Sequence, residues 1–415
     1  MIKEKNIQSS EKEEDSYKKS KLGWIPKDWK IRKLQEVSII SGEYGINAPG
    51  VDFDENLPKY LRITDINDDG TLRLNNMVSV NDPNSQKYLL QNDDILLART
   101  GASVGKAYRH KQKEYGDLVF AGFLIRFRLN TQVISPTFLH FYLQTNKYWN
   151  WVQVMSQRSG QPGINGKEYS VLPIPLPPLP EQQKIATILS KWDNAIDKLT
   201  QLIAAKELQK KGLMQQLLTG ELRFPGFEDE WEEVKLETVA KFKNGKGHEN
   251  NVDEDGEYVL VNSKFVASEG KEYKMVSEAY ELLKKGTIVM VMSDVPNGKA
   301  LAKCYLIIED NKFTLNQRIC SLTPKGINTD FLLYQLNRNK FYMKFDGGVG
   351  QTNLKKQEVL NCPVLLPKKQ EQQKIASVLS AADKEIEILK KELASFQEQK
   401  KGLMQVLLTG KVRVR

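Results

Sequence analysis

The chain is 415 residues long, enough for two to three domains, with 40% hydrophobic and 27% charged residues, an ordinary balance for a globular protein. Its charge of +9 suits a nucleic-acid binder without requiring one. No run approaches the ~20 apolar residues of a membrane span, no apolar segment of a secretory signal follows Met1, and three scattered cysteines (Cys304, Cys320, Cys362) argue against a disulfide framework or a thiolate zinc site. A cytoplasmic protein is expected. In chain order, residues 1–20 are charged and predict a disordered tail. Residues 21–179 carry short apolar, β-branched runs broken by Gly, Asn and Asp, which predict a mostly-β domain with a few helices. A proline run at 173–180 then introduces a helix over 180–220, stopped by Gly220. Residues 221–369 return to the mostly-β pattern, residues 370–410 predict a second long helix ending at Gly410, and 411–415 form a basic end. The expected fold class is α+β.

The two helical segments are repeats. Glu181–Gly220 and Glu371–Gly410 align at an offset of 190 with 23 identities in 40 positions. In the second copy Ile375, Leu379, Ala382, Ile386, Leu389, Leu393, Phe396, Leu403 and Leu407 fall at alternating spacings of four and three, with a break at Lys400. That is a coiled-coil seam. Ile185, Leu189, Trp192, Ile196, Leu199, Ile203, Leu213 and Leu217 repeat it in the first, with Lys206 as its break. Each rod is about 60 Å long. The first carries the chain from one globular domain to the other, so the second buries its seam by running back antiparallel, which gives a pseudo-two-fold arrangement. Identity is strongest at the rod ends, in EQQKIA at the starts and KKGLMQ and LLTG at the finishes. The polar identities Gln182, Gln183, Lys210 and Lys211, with Gln372, Gln373, Lys400 and Lys401, are expected to form two equivalent docking sites for two copies of one partner. The globular domains share only a frame: Trp29-x4-Leu34 parallels Trp231-x4-Leu236, 94–107 parallels 287–300, and 136–144 parallels 329–337. Two modules on one scaffold should read two different things.

The passages PLPPLPEQQKIA (175–186) and LLPKKQEQQKIA (365–376), the repeated KKGLMQxLLTG (210–220 and 400–410), and the domain openings GWIPKDWK and FPGFEDEWE resemble the specificity subunit of type I restriction–modification enzymes over about residues 22–415. The resemblance implies two target recognition domains, each reading one half of a split double-stranded DNA site. It implies that the helices set the gap, that two modification subunits dock and methylate adenine, and that two restriction subunits join for cleavage. S-adenosylmethionine, ATP and Mg would belong to those partners, with no cofactor and no catalysis on this chain.

Motifs for catalysis agree. No Asn/Asp-Pro-Pro-aromatic loop occurs, since Pro177-Pro178 is followed by Leu179. The stretch Gly101 to Ala107 lacks the spacing of a phosphate loop. No metal or nucleophile constellation stands out. Two other readings stay open: a bivalent scaffold for a protein or glycan, and a self-sufficient enzyme.

Groove readout uses Arg or Lys on guanine and Asn or Gln on adenine, with small polar groups on phosphates. On polar loops between strands the candidates are Tyr44, Asn47, Arg62, Thr64, Arg99, Thr100, Lys106, Arg158, Ser159 and Gln161 in the first domain. In the second they are Lys246, His248, Asn262, Lys264, Ser293, Asn297, Gln317, Arg318, Gln351 and Asn353. A ~60 Å rod spans at most ~18 base pairs, and a shared DNA face favours half-sites about one turn apart.

Overall fold

A computed structural model describes residues 16–414, apart from 74, 296–297, 348–349 and the side chain of 249. It divides into two compact units, Met1–Leu199 with Glu392–Arg415, and Thr200–Lys391. The two long helices, α1 (Leu179–Thr219) and α2 (Lys369–Leu407), are each divided between the units. Each unit therefore holds the start of one long helix and the finish of the other, where the sequence alone suggested separate spacer segments.

The units share one strand plan. In the first, Ser38–Tyr44, Leu124–Leu129, Ile95–Ala98 and Ala107–Arg109 form an antiparallel sheet in that order. In the second, Ala240–Asn244, Ile319–Pro324, Ile288–Val291 and Cys304–Leu306 do the same. A three-stranded sheet accompanies each, with Lys59–Leu61 parallel to Leu118–Phe120 and Tyr258–Val261 parallel to Phe313–Leu315. A short pair closes each base, Lys30–Lys33 with Pro173–Leu176 and Glu232–Lys235 with Pro363–Leu366. The central strands explain the unbroken apolar runs ILLA and IVMV. Successive side chains point to opposite faces of a strand. Ile95 and Leu97 face one core cluster while Leu96 and Ala98 face another. Ile288 and Met290, against Val289 and Val291, repeat the division.

Residues 1–15 lie outside the described residues, but 16–20 do not belong to a disordered tail. Tyr17–Ser20 pairs antiparallel with Gly23–Pro26, whose Ile25 is buried, and the Tyr17 hydroxyl donates to the Gly410 carbonyl at 2.9 Å. The strand is polar because its partner supplies the apolar side chain.

The polar residues at the helix starts are structural. Glu181 is buried and accepts from Trp29 Nε1 (3.1 Å) and from Arg413, which follows α2 (2.7 Å). Glu371, 190 residues on, accepts from Trp231 Nε1 (3.1 Å) and from Arg223, which follows α1 (2.8 and 2.9 Å). Gln182 accepts from Ser135 N (2.8 Å) and donates to the Pro177 and Val133 carbonyls. Gln372 accepts from Asn328 N (2.8 Å) and donates to the Pro367 carbonyl. Both glutamines are buried, which removes them from any docking surface. A neighbouring helix N-terminus and a proline-bounded carbonyl both lack partners of their own, and one side-chain amide satisfies both.

The seam breaks are also explained. Lys206 pairs with Glu385 at 2.7 Å, and Lys400 pairs with Asp193 5.4 Å from the Phe141 ring, while the docking candidate Lys210 pairs with Asp383 5.6 Å from the Tyr334 ring. These half-buried lysines are internal ties rather than free docking groups. In the first unit Trp192 meets Phe396 edge-on at 5.4 Å. In the second, Glu207 with Lys390 and Lys210 with Asp383 run in opposite order along α1 and α2, so the segments there are antiparallel. Gly220 (φ +78°) and Gly410 (φ +73°) end the helices in the left-handed region that glycine tolerates. Gln183, Lys211, Gln373 and Lys401 remain exposed.

Gln182→Ala strands buried partners and should cost about 2 kcal/mol. Exposed Gln183→Ala should stay within about 0.5 kcal/mol. Denaturant unfolding of the two variants compares them, and equal losses would contradict the assignment.

Candidate nucleic-acid interface

One loop junction recurs in both units. In the first, Thr100 bridges to Gly163, Gly101 N donates to the Pro162 carbonyl at 3.0 Å, and Ile164 N donates to the Arg99 carbonyl at 2.9 Å. The Gln161 amide lies against the Cα of Gly101. The Arg99 guanidinium stacks over the Tyr44 ring at 4.9 Å, and the Tyr44 hydroxyl accepts from Gly166 N at 2.9 Å. Tyr44, Arg99, Thr100 and Gln161 are thereby brought together on a partly open surface. Tyr44 already carries a cation on one face, and its ring positions Arg99.

In the second unit Ser293–Asp294 pairs antiparallel with Thr352–Asn353, and Gln351 Nε2 donates to Ser293 Oγ at 2.8 Å. Ser293 stands 193 residues after Thr100, and Gln351 stands 190 after Gln161. Asn244, Ser293, Arg318 and Asn353 line one concavity of about 240 Å³. Exposed Arg318 (φ +68°) sits on the turn between Phe313–Leu315 and Ile319–Pro324. Gln317 is exposed on the same turn. One glycine fixes each frame: a Cβ on Gly45 would strike the Phe120 carbonyl, and one on Gly245 would strike the Asn316 carbonyl. Asn47 and Lys246 are exposed just beyond them.

Other candidates have internal partners. His248 is buried, stacks 4.6 Å from Tyr280, and shares hydrogen bonds with the Lys246 carbonyl and Thr314, so it reads no base. Asn262 caps helix Ser263–Ala267 by accepting from Phe265 N. Half-buried Lys106 pairs with Asp68 at 2.8 Å and holds that carboxyl below its usual range. Arg158 pairs with Glu168, and exposed Lys264 with Glu272. Ser159 is exposed. Asn297 lies outside the described residues. Arg62 is clamped by Asp65 through two bonds of 2.8 and 3.1 Å, and that hydrogen bonding raises its pKa. Arg62 and Thr64 nevertheless line a concavity of about 650 Å³ with Arg73, Asn75 and Asn76. Sequence reasoning missed those last three, although the Arg-Leu-Asn-Asn stretch carries the groove-reading residue types.

The model for the type I restriction modification DNA specificity domain matches residues 26–207 and 228–397, once per repeat and over more than half of the chain. The chain belongs to that family. A specificity subunit recognises DNA and is not itself a catalyst. It is 26% identical over 97% of both chains to the type I restriction enzyme MjaVIII specificity subunit of Methanocaldococcus jannaschii. Its fold is similar to the type I restriction–modification S subunit from M. genitalium, at a TM-score of 0.58 and 17% identity over 91% of this chain and 96% of that one. A chain solved in work on complex assembly and conformational transition of the type I R-M system gives 0.59 and 16% over 94% and 99%. Among the described residues no helix is long and apolar enough to cross a membrane, and no group of three or more His, Cys, Asp or Glu is placed to hold a metal.

Arg318→Ala in this specificity subunit should weaken DNA binding by about 1–3 kcal/mol and leave its stability nearly unchanged. His248→Ala should lower the thermal midpoint and leave DNA affinity within about twofold while folded. Fluorescence anisotropy and thermal melts of both variants check this, and the reverse pattern would contradict it.

Proposed function

We propose that this specificity subunit reads a bipartite double-stranded DNA target, one half-site per unit. The observation that carries the reading is the repeated junction. The same strand plan presents Arg99, Thr100 and Gln161 in one unit, and Met292, Ser293 and Gln351 in the other. Equal frames with unequal side chains suit two different half-sites. The α1 and α2 helices act as an antiparallel coiled-coil spacer that sets the gap between them.

Two modification subunits dock on the helix ends, at exposed residues that include Gln183 and Lys401 in one unit and Lys211 and Gln373 in the other. They bring S-adenosylmethionine and methylate adenine. Two restriction subunits bring ATP and Mg for cleavage, and the assembly works on cytoplasmic DNA. This chain supplies recognition and geometry.

DNA binding should fall steeply with salt, with a slope set by the phosphates neutralised. A ligand of protein or glycan type would give no such slope with DNA. Inserting four residues in each long helix adds about 6 Å. Selection from random DNA should then return half-sites one or two base pairs further apart, and an unchanged gap would remove the spacer role.

A further inference from the structure

Phe123 sits on the turn between Leu118–Phe120 and Leu124–Leu129, beside the junction that carries Tyr44, Arg99, Thr100 and Gln161. Its ring is 57% exposed. Single exposed apolar side chains are common and decide nothing by themselves. The place of this one in the repeated frame decides more.

Three backbone hydrogen bonds fix the turn against the junction, and the second unit repeats each of them. Arg99 N donates to the Phe123 carbonyl at 3.0 Å, as Met292 N donates to the Arg318 carbonyl at 2.9 Å. Ile46 N donates to the Phe120 carbonyl at 2.9 Å, as Lys246 N donates to that of Leu315 at 3.2 Å. Gly45 N donates to the Leu124 carbonyl at 3.4 Å, as Gly245 N donates to that of Ile319 at 3.0 Å. The parallel bridges from Ile46 to Ala121 and from Lys246 to Asn316 agree. Phe123 therefore occupies the place of Arg318, 195 residues on. One unit presents a benzyl ring there and the other a guanidinium. The backbone beneath the ring is held on both sides, because Gly122 N donates to the Ile46 carbonyl at 2.7 Å and Leu124 N to the Ala121 carbonyl at 2.8 Å. A ring with two rotatable bonds on a fixed backbone loses little freedom on contact.

The chemistry of a duplex narrows what such a ring can read. Base faces are hidden in the stack, and reaching one costs unstacking. The grooves offer base edges instead. A polar edge group covered by a benzyl ring would lose its hydrogen bond to water without replacement. The apolar group that a major-groove edge offers is the C5-methyl of thymine. We infer that Phe123 is a specificity-determining residue of the first unit, whose ring packs on the C5-methyl group of a thymine in that unit's half-site. The inference rests on the proposed reading of DNA and adds a base and a contact to it. Guanidinium groups pair with guanine instead, so a single place in the frame suffices to give two half-sites different bases.

Competition fluorescence anisotropy of the full chain with its modification subunit tests this. The probes are the duplex carrying the methylated motif and copies in which one thymine at a time is replaced by deoxyuridine, which lacks only the methyl group. The expected result is a thymine, in one half-site, at which the replacement weakens wild-type binding about fourfold, the worth of one buried methyl group. Phe123→Ala should bind those two duplexes equally, and its thermal midpoint should match wild type because the ring is exposed. Arg318→Ala should bind both more weakly and keep the fourfold difference. Equal wild-type affinity for thymine and deoxyuridine at every position would overturn the inference, and so would a difference that survives Phe123→Ala. Either result with sequence-specific binding intact counts against Phe123 alone. Loss of all sequence preference in the wild-type complex would overturn the DNA reading and the inference together.

Discussion

Two buried carboxylates set the architecture. Glu181 and Glu371 each sit at the start of one long helix, and each binds a tryptophan from the base of its unit and an arginine from beyond the finish of the other helix. A carboxylate taken out of water is stable only when its partners are complete, and removing one partner leaves an uncompensated charge. Glu181 draws Arg413 from the second stretch of its unit, whereas Glu371, Trp231 and Arg223 all lie within 200–391. The paired glutamines Gln182 and Gln372, and the ion pairs Lys210–Asp383 and Lys400–Asp193, repeat the same logic along the helices. The strong identity at the rod ends is in large part the identity of these internal contacts.

On that common frame the exposed side chains diverge. Thr100 and Ser293, or Gln161 and Gln351, occupy matched places, while Met292 stands at the position that corresponds to Arg99. Net charge contributes little to the distinction. Residues 221–370 carry 22 basic and 22 acidic side chains, yet among the described residues Arg318 is the one charged residue on the concavity it lines with Asn244, Ser293 and Asn353. With no net charge, attraction of DNA to that unit would rest on local polarisation of its surface. The overall charge of +9 points to the right class of partner without locating it.

The fold was legible because period and repeat are properties of sequence. The four-three spacing, the flanking prolines and the terminal glycines marked α1 and α2, and the offset of 190 residues matched their contacts in advance. The site was less legible because burial is not local. Gln182 and Gln183 are adjacent and repeated alike, but a helix turns by 100° per residue, so one faces Ser135 and the other faces solvent. His248 lies in a polar loop, yet the parallel bridge from Lys246 to Asn316 folds it under Tyr280. Asn262 has the composition of a base reader and the geometry of a helix cap. The strand at 17–20 was hidden because its apolar partner, Ile25, lies on the other arm of the hairpin.

The central claim is that two units on one frame read two separated half-sites. Its most direct measurement is sequencing of methylated adenines in DNA from cells that carry this chain with its modification subunit. The account predicts one motif made of two defined half-sites around an unspecified gap of constant length. A continuous motif, or methylation at sites with no second half, would contradict it.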